Sequence, residues 1–278
     1  MTDGAPLPLV IAHRGASSDA PENTPEAFEA AIALGVDAVE LDVRRTSDGV
    51  LVVHHNASRR GVPVALQTYA ALVRRSRHQP PTLDTVLDLC AGRIAVDVEI
   101  KEPGYEAEVI ERASRRFSRQ QLLYTSFEES VISTIRQLDQ NAHCGLLLGP
   151  GRLRSRTQRF EALPFDLAER CGADALAVHQ WLAPLRGRSR RVPGAGVLAE
   201  ARQRGFPMLV WTVNGPQRLR AYLADGRVAG IITDLPGLAL ETRRELARRD
   251  AQEDAMPGHV TGPSRPALTD RVRPVIRK

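Results

Sequence analysis

Lysine is almost missing from this chain. Of its 38 basic residues only Lys101 and Lys278 are lysines, so the net charge of +5 is carried by arginine along the whole sequence. A lysine kept inside the folded part therefore stands out, because a compact ammonium cannot be exchanged freely for a planar guanidinium. Aromatic residues are scarce at 4%, and none interleaves the arginine-rich runs Arg152 to Arg159 and Arg186 to Arg191. That argues against nucleic acid as a partner, since single strands are held by basic grooves fitted with stacking rings. No uninterrupted apolar run has the length that a membrane-spanning helix needs. The stretch MTDGAPLPLVIAHRG has neither a basic leader nor a cleavage site. It reads as a first core strand, and the expected location is cytoplasmic. Cysteine is rare too: Cys90, Cys144 and Cys171 sit singly in apolar surroundings without metal-ligand spacing, which fits reduced, buried thiols.

What is present is a regular alternation. The 278 residues, 42% of them hydrophobic, suffice for one large domain. The segment Thr24 to Gly35 reads as an amphipathic helix with Thr24 as cap and Pro25 at its first position. Strands are expected to begin at Leu9, Val39, Ile94, Leu122, Cys144, Ala175, Met208 and Gly230, with helical patterns between them. Eight such units predict a TIM (β/α)8 barrel over residues 1–249. An open doubly wound sheet is the alternative, but no strand is followed by a GxGxxG turn. Residues 57–81 read as a polar, Arg-rich connecting loop, and the tail 250–278 as disordered.

The most informative ribbon is VELDVRRTSDGVLVVHHN, Val39 to Asn56. Glu40 and Asp42 alternate with Val39, Leu41 and Val43, so both acids share one face of a strand. Asp48-Gly49 signals a hairpin, and Val50 to Val53 read as the returning strand. A two-residue Asp-Gly loop sets Asp42 opposite His55 and brings Glu40, Asp42 and His55 together. A three-residue loop selects His54 instead, and periodicity leaves that choice open.

Reactive groups of such a barrel sit at the carboxyl ends of its strands. Those ends carry His13-Arg14, then Glu40 and Asp42, then Asp97, Glu99 and Lys101, and later Ser126, Trp211 to Asn214, and Thr233-Asp234. Several carboxylates in one small space repel and would protonate, unless a hard divalent cation, Mg²⁺ or Ca²⁺, holds them together. Arg14 and Lys101 beside that cluster make sense if an anion binds there too, and a phosphate bridging metal, Arg and Lys is the natural candidate. Histidines could then act as acid and base in breaking a phosphate ester.

The order HRG, ENT (Glu22-Asn23-Thr24), ELDV, T-x-DG, VVHH, VEIK, WTVN, GIITDLP resembles the glycerophosphodiester phosphodiesterase family from about Leu9 to Leu240. The resemblance implies a metal-dependent barrel that hydrolyses glycerophosphodiesters to glycerol 3-phosphate and an alcohol. It implies His13 and His55 as the catalytic pair and Glu40, Asp42 and Glu99 as metal ligands. It implies Arg14 and Lys101 as phosphate contacts, supported by Glu22, with Trp211 at the substrate. Its choice of His55 agrees with the two-residue hairpin register. Three positions depart from the family pattern: Asn56 stands where Asp is usual, Asp97 where Asn is usual, and 57–81 is short for the small domain commonly inserted there.

Two rival readings share these residues. One is a phospholipase D-like enzyme of the sphingomyelinase D type, acting on lysophospholipids or sphingolipids through cyclic phosphates. The other is a non-catalytic phosphate- or lipid-binding barrel, against which both histidines and the full carboxylate set count. The two arginine runs follow barrel strands, so a basic rim and a weak contact with anionic membrane surfaces are expected.

Overall fold

The computed structural model of the chain describes residues 7–150, 163–185 and 196–254. The first strand, β1 (Leu9–His13), leads through a tight loop into α1 (Pro25–Leu34) and the long β2 (Ala38–Arg45). A side structure follows: β3 (Leu51–Val53), β4 (Ser58–Arg59), β5 (Val62–Pro63) and α2 (Tyr69–Arg75). The alternation resumes with α3 (Leu83–Cys90), β6 (Ala95–Ile100), α4 (Glu106–Ser114), β7 (Leu122–Ser126), α5 (Glu129–Leu138) and β8 (Cys144–Leu148). It closes with α6 (Leu163–Cys171), β9 (Ala175–His179), α7 (Val197–Arg204), β10 (Met208–Trp211), α8 (Pro216–Leu223), β11 (Gly230–Thr233) and α9 (Pro236–Asp254).

Strands β1, β2 and β6 to β11 pair in parallel, and β1 pairs with both β2 and β11, which closes an eight-stranded barrel. This is the expected TIM barrel. Alternation along each strand divides the apolar residues between two cores. Leu9, Ile11, Ala38, Leu123, Leu147, Ala175, Ala177, Leu209 and Ile232 fill the barrel interior. The intervening residues, such as Val10, Val39, Leu41, Val96 and Val98, pack outward against the helices. The three cysteines are buried free thiols.

One edge of β2 is shared by two partners. Ala38 to Glu40 pair with β1, and Val43 to Arg45 pair antiparallel with β3, while β6 lies along the other edge. Thus β2 outruns β1 and carries a hairpin beyond the barrel mouth.

Two expectations change here. Residues 57–81 are more than a connecting loop: Val64 and Leu72 are buried against Val52, with Val50 and Tyr69 packed beside them. Apolar residues this sparse give no periodic signal in an Arg-rich stretch, yet they suffice for a small core when β3 supplies its other side. Helix α9 also continues past the expected boundary at 249, to Asp254. The remainder of the tail and both arginine runs lie outside the described residues.

Candidate active site

The inward row of each strand turns from apolar to polar at the carboxyl end of the barrel. In β1, Leu9 and Ile11 give way to His13; in β2, Ala38 gives way to Glu40 and Asp42; in β6, Ala95 gives way to Asp97 and Glu99. Parallel register sets His13 beside Glu40, Glu40 beside Asp97, and Asp42 beside Glu99. Glu40, Asp42 and Glu99 are buried, and each offers an oxygen within 4.8 Å of the others. A cavity of about 150 Å³ opens over Glu40 and Glu99, with Asp42 buried beside them. His13, Arg14, Glu40, His55, Glu99 and Lys101 line its polar side, and Phe127, Leu147, Trp211 and Ile232 its apolar side.

The loop after β1 is shaped by backbone geometry that suits few residues. Arg14 and Gly15 both have positive φ, 59° and 82°. A Cβ on Gly15 would lie 2.6 Å from the carbonyl carbon of Ala27, so only glycine lets this loop settle on α1. Thr24 caps α1 by accepting the Ala27 N–H at 3.3 Å. The tight turn aims the Arg14 side chain at the acids: Nε lies 3.1 Å from Asp42 Oδ2, Nη1 donates to Glu22 at 2.6 Å, and the backbone N–H donates to Glu40 at 3.0 Å. Glu22 therefore acts on the site through Arg14. Its neighbour Asn23 donates from Nδ2 to Asp42 at 2.7 Å.

Lys101 lines the cavity, with its ammonium 2.5 Å from both Asp42 and Glu99. Four buried carboxyls, with Asp97 the fourth, face two cations, Arg14 and Lys101. Burial works against ionisation of Asp42, but Lys101 and Arg14 outweigh it and hold its carboxyl far below the usual range. Burial together with the charges of Asp42 and Glu99 pushes Glu40 well up. Burial likewise raises Glu99, against the pull of Lys101, to about 7, and it raises Asp97 to about 7 despite the hydrogen bond from Thr125 at 2.7 Å.

These residues fit a divalent metal. The donors are all oxygens, and Glu40 Oε1 is buried with no hydrogen-bond partner. A hard cation would supply the missing positive charge and favour the ionised form of each carboxyl.

The histidines come from different places. His13 Nδ1 lies 2.6 Å from Asp234 Oδ1, which leaves Nε2 on the cavity side, 4.0 Å from Glu40. Asp234 is held in turn by Asn214, at 2.6 Å, and Ser17, at 3.2 Å. Desolvation opposes its charge, yet the bond and charge of His13 and the other two donors keep its pKa below the ordinary value. Asp234 and Asn214 were legible as polar residues at strand ends, but no local pattern ties a residue after β11 to one in β1.

The hairpin corrects the register that favoured His55. Val43 pairs with Val53, and Thr46 closes the turn on Val50, leaving Ser47-Asp48-Gly49 as a three-residue loop with Gly49 at φ 82°. Asp42 thus lies opposite His54, whose N–H reaches Asp42 O at 2.8 Å. His54 is half-buried and does not line the cavity. Burial, with Arg59 and Arg44 nearby, lowers its pKa to about 4. His55 still lines the cavity because β3 ends at Val53, and strict alternation no longer governs the residues beyond it. The ring lies within the field of Asp42; burial, Arg14 and Lys101 lower its pKa.

Trp211 forms part of the cavity wall, and its indole N–H is already engaged. Its Nε1–H is taken by Ala177 O at 2.9 Å, and its ring meets Phe127 and His179 edge to face.

A barrel with an acidic metal-type cluster, two histidines and two cations at its carboxyl mouth defines the class of a phosphate-ester hydrolase. Residues 13–238 match the model of the glycerophosphoryl diester phosphodiesterase family, and the chain belongs to that family; it is a phosphoric diester hydrolase. It is similar to the glycerophosphodiester phosphodiesterase of Caldanaerobacter subterraneus, with 27% identity across 68% of this chain and 91% of that protein. That of Bacillus altitudinis is also 27% identical, across 85% of this chain and 98% of the relative. Among solved structures, the Thermotoga maritima glycerophosphodiester phosphodiesterase superposes with a TM-score of 0.69 at 26% identity, covering 85% of this chain and 98% of that one.

Proposed function

We propose that the chain hydrolyses glycerophosphodiesters to glycerol 3-phosphate and an alcohol, with a divalent cation, Mg²⁺ or Ca²⁺, held by Glu40, Asp42 and Glu99. The observation that carries this reading is the meeting of that buried oxygen cluster with His13, His55, Arg14 and Lys101 around one cavity. When bound, the cation neutralises charge on the phosphate and steadies the charge that develops during the reaction. Arg14 and Lys101 orient the same anion from the polar wall. His55, held toward its neutral form by its surroundings, is suited to take a proton. His13 is oriented through Nδ1 by Asp234, which leaves Nε2 to exchange a proton with the reacting oxygens. The apolar wall of Phe127, Leu147, Trp211 and Ile232 faces the carbon skeleton of the substrate.

The test is release of glycerol 3-phosphate from glycerophosphocholine by purified protein. Chelation with EDTA should abolish it and added Mg²⁺ or Ca²⁺ should restore it. Full turnover in protein shown to be metal-free would overturn the metal part of the proposal. Release of a cyclic phosphate from a lysophospholipid, with no glycerol 3-phosphate formed, would favour the phospholipase D-like reading.

A further inference from the structure

The hairpin leaves a problem that another residue solves. The β2–β3 ladder ends where the His54 N–H meets Asp42 O, and His55 and Asn56 belong to no strand or helix. The ring of His55 finds a hydrogen bond only with its own neighbour, Nδ1 to Asn56 Oδ1 at 3.2 Å, among those of the described residues. Something must hold this segment if the ring is to keep its place over the acids.

We propose that Arg44 is the positioning residue for His55: its guanidinium clamps the His55 backbone and ties it to the end of β6. Arg44 continues the inward row of Glu40 and Asp42 on β2 and is 8% exposed. Its Nε and Nη2 both donate to the His55 carbonyl, at 2.9 and 2.7 Å. Its Nη1 pairs with Glu102, just beyond β6. Glu102 is itself fixed, with Tyr105 Oη 2.7 Å from its carboxylate and 2.9 Å from Val43 O. One planar fork therefore spans from the His55 carbonyl to the strand end that presents Glu99 and Lys101. A guanidinium can make this double contact on a single oxygen and still reach a carboxylate; an ammonium cannot keep the same directions. This also explains why His55 lines the cavity in a register that, by alternation alone, favours His54.

The proposal rests on the reading of His55 as a proton carrier, so the experiment is a double-mutant cycle. Arg44→Met and Arg44→Lys are made in the wild-type chain and in His55→Ala, with steady-state kinetics on glycerophosphocholine at saturating Mg²⁺ and thermal melts of all six proteins. In the wild-type chain Arg44→Met should lower kcat by ~10- to 10²-fold with KM changed less than about twofold, and Arg44→Lys should fall between. In the His55→Ala background either change should cost less than about twofold, since the residue being positioned is gone. Equal losses in both backgrounds would show that Arg44 acts on the fold and not through His55, which overturns the proposal. So would a folded Arg44→Met enzyme with wild-type kcat. If Arg44→Met does not fold, Arg44→Lys, which keeps a cation opposite Glu102, carries the same cycle. Full activity in His55→Ala would instead remove the catalytic reading of that histidine, a failure visible before any Arg44 variant is measured.

Discussion

His54 and His55 are neighbours with opposite fates. His54 lies opposite Asp42 at the end of the ladder yet does not line the cavity, and burial suppresses its charge. His55 has left the ladder, and its ring lines the cavity with Arg14, Lys101 and the acids. Replacing His13 or His55 with Ala should each lower kcat by ~10²-fold or more, the usual cost of a lost general acid or base, whereas His54→Ala should cost far less. Comparable losses at 54 and 55 would mean that the first shapes the site as much as the second. Asp234 belongs with His13. Asp234→Asn keeps the shape but can present an N–H to Nδ1, so kcat should fall about 10- to 10²-fold while KM hardly moves. A change confined to KM would place Asp234 at the substrate instead.

At the scale of elements, the sequence was most legible where periodicity is enforced by two cores. Six of the eight expected strand starts coincide with the observed ones, and Val39 and Ile94 differ from Ala38 and Ala95 by one residue. The carboxylate set was legible for the same reason, because Glu40, Asp42 and Glu99 hold alternate positions in strands buried on both faces. The hairpin was not, because Asp-Gly serves loops of two or three residues and the choice depends on how Thr46 and Val50 meet. Helix α2 was not legible, since its Leu72 and Tyr69 pack against Val52 of another element, and the two-residue strands β4 and β5 are too short to show a period. Two glycines separate what a turn requires from what a close approach requires. At Gly49, φ is 82° with no atom within 4 Å of an added Cβ, so Gly49→Ala should cost about 1 kcal/mol of backbone strain. At Gly15 a similar φ is joined by contacts of 2.6 to 2.8 Å with Ala27, so Gly15→Ala should cost ~2 kcal/mol or more. It should also lower activity by moving Arg14. Denaturant unfolding of both variants checks the order, and a larger loss at Gly49 would mean that the α1 contact yields easily.

For the whole molecule, the acid cluster should make stability depend on pH and, on the proposed reading, on metal as well. Asp97 and Glu99 have folded pKa values raised to about 7 from 3.8 and 4.5, with burial as the main cause, and Glu40 is raised as well. Between the unfolded and folded values the native chain binds more protons than the unfolded chain, so this contribution falls as pH rises and is lost above the folded values. His54 acts in the other direction: its folded pKa is lowered from 6.5 to about 4, so it disfavours the fold only as pH drops below 6.5. Asp42, with its pKa depressed, gives a contribution already complete above 3.8. Between pH 6.5 and 8 the raised carboxyls are therefore left to set the slope. In EDTA the melting temperature should decline as pH rises through this window. On the proposed reading a divalent cation binds the ionised carboxylates of the folded chain alone, so saturating Mg²⁺ or Ca²⁺ should raise the melting temperature most at the alkaline end and flatten or reverse the slope. Melts at several pH values, with chelator and with metal, make the comparison. A slope unchanged by metal would mean that the cluster is neutralised by Arg14 and Lys101 alone.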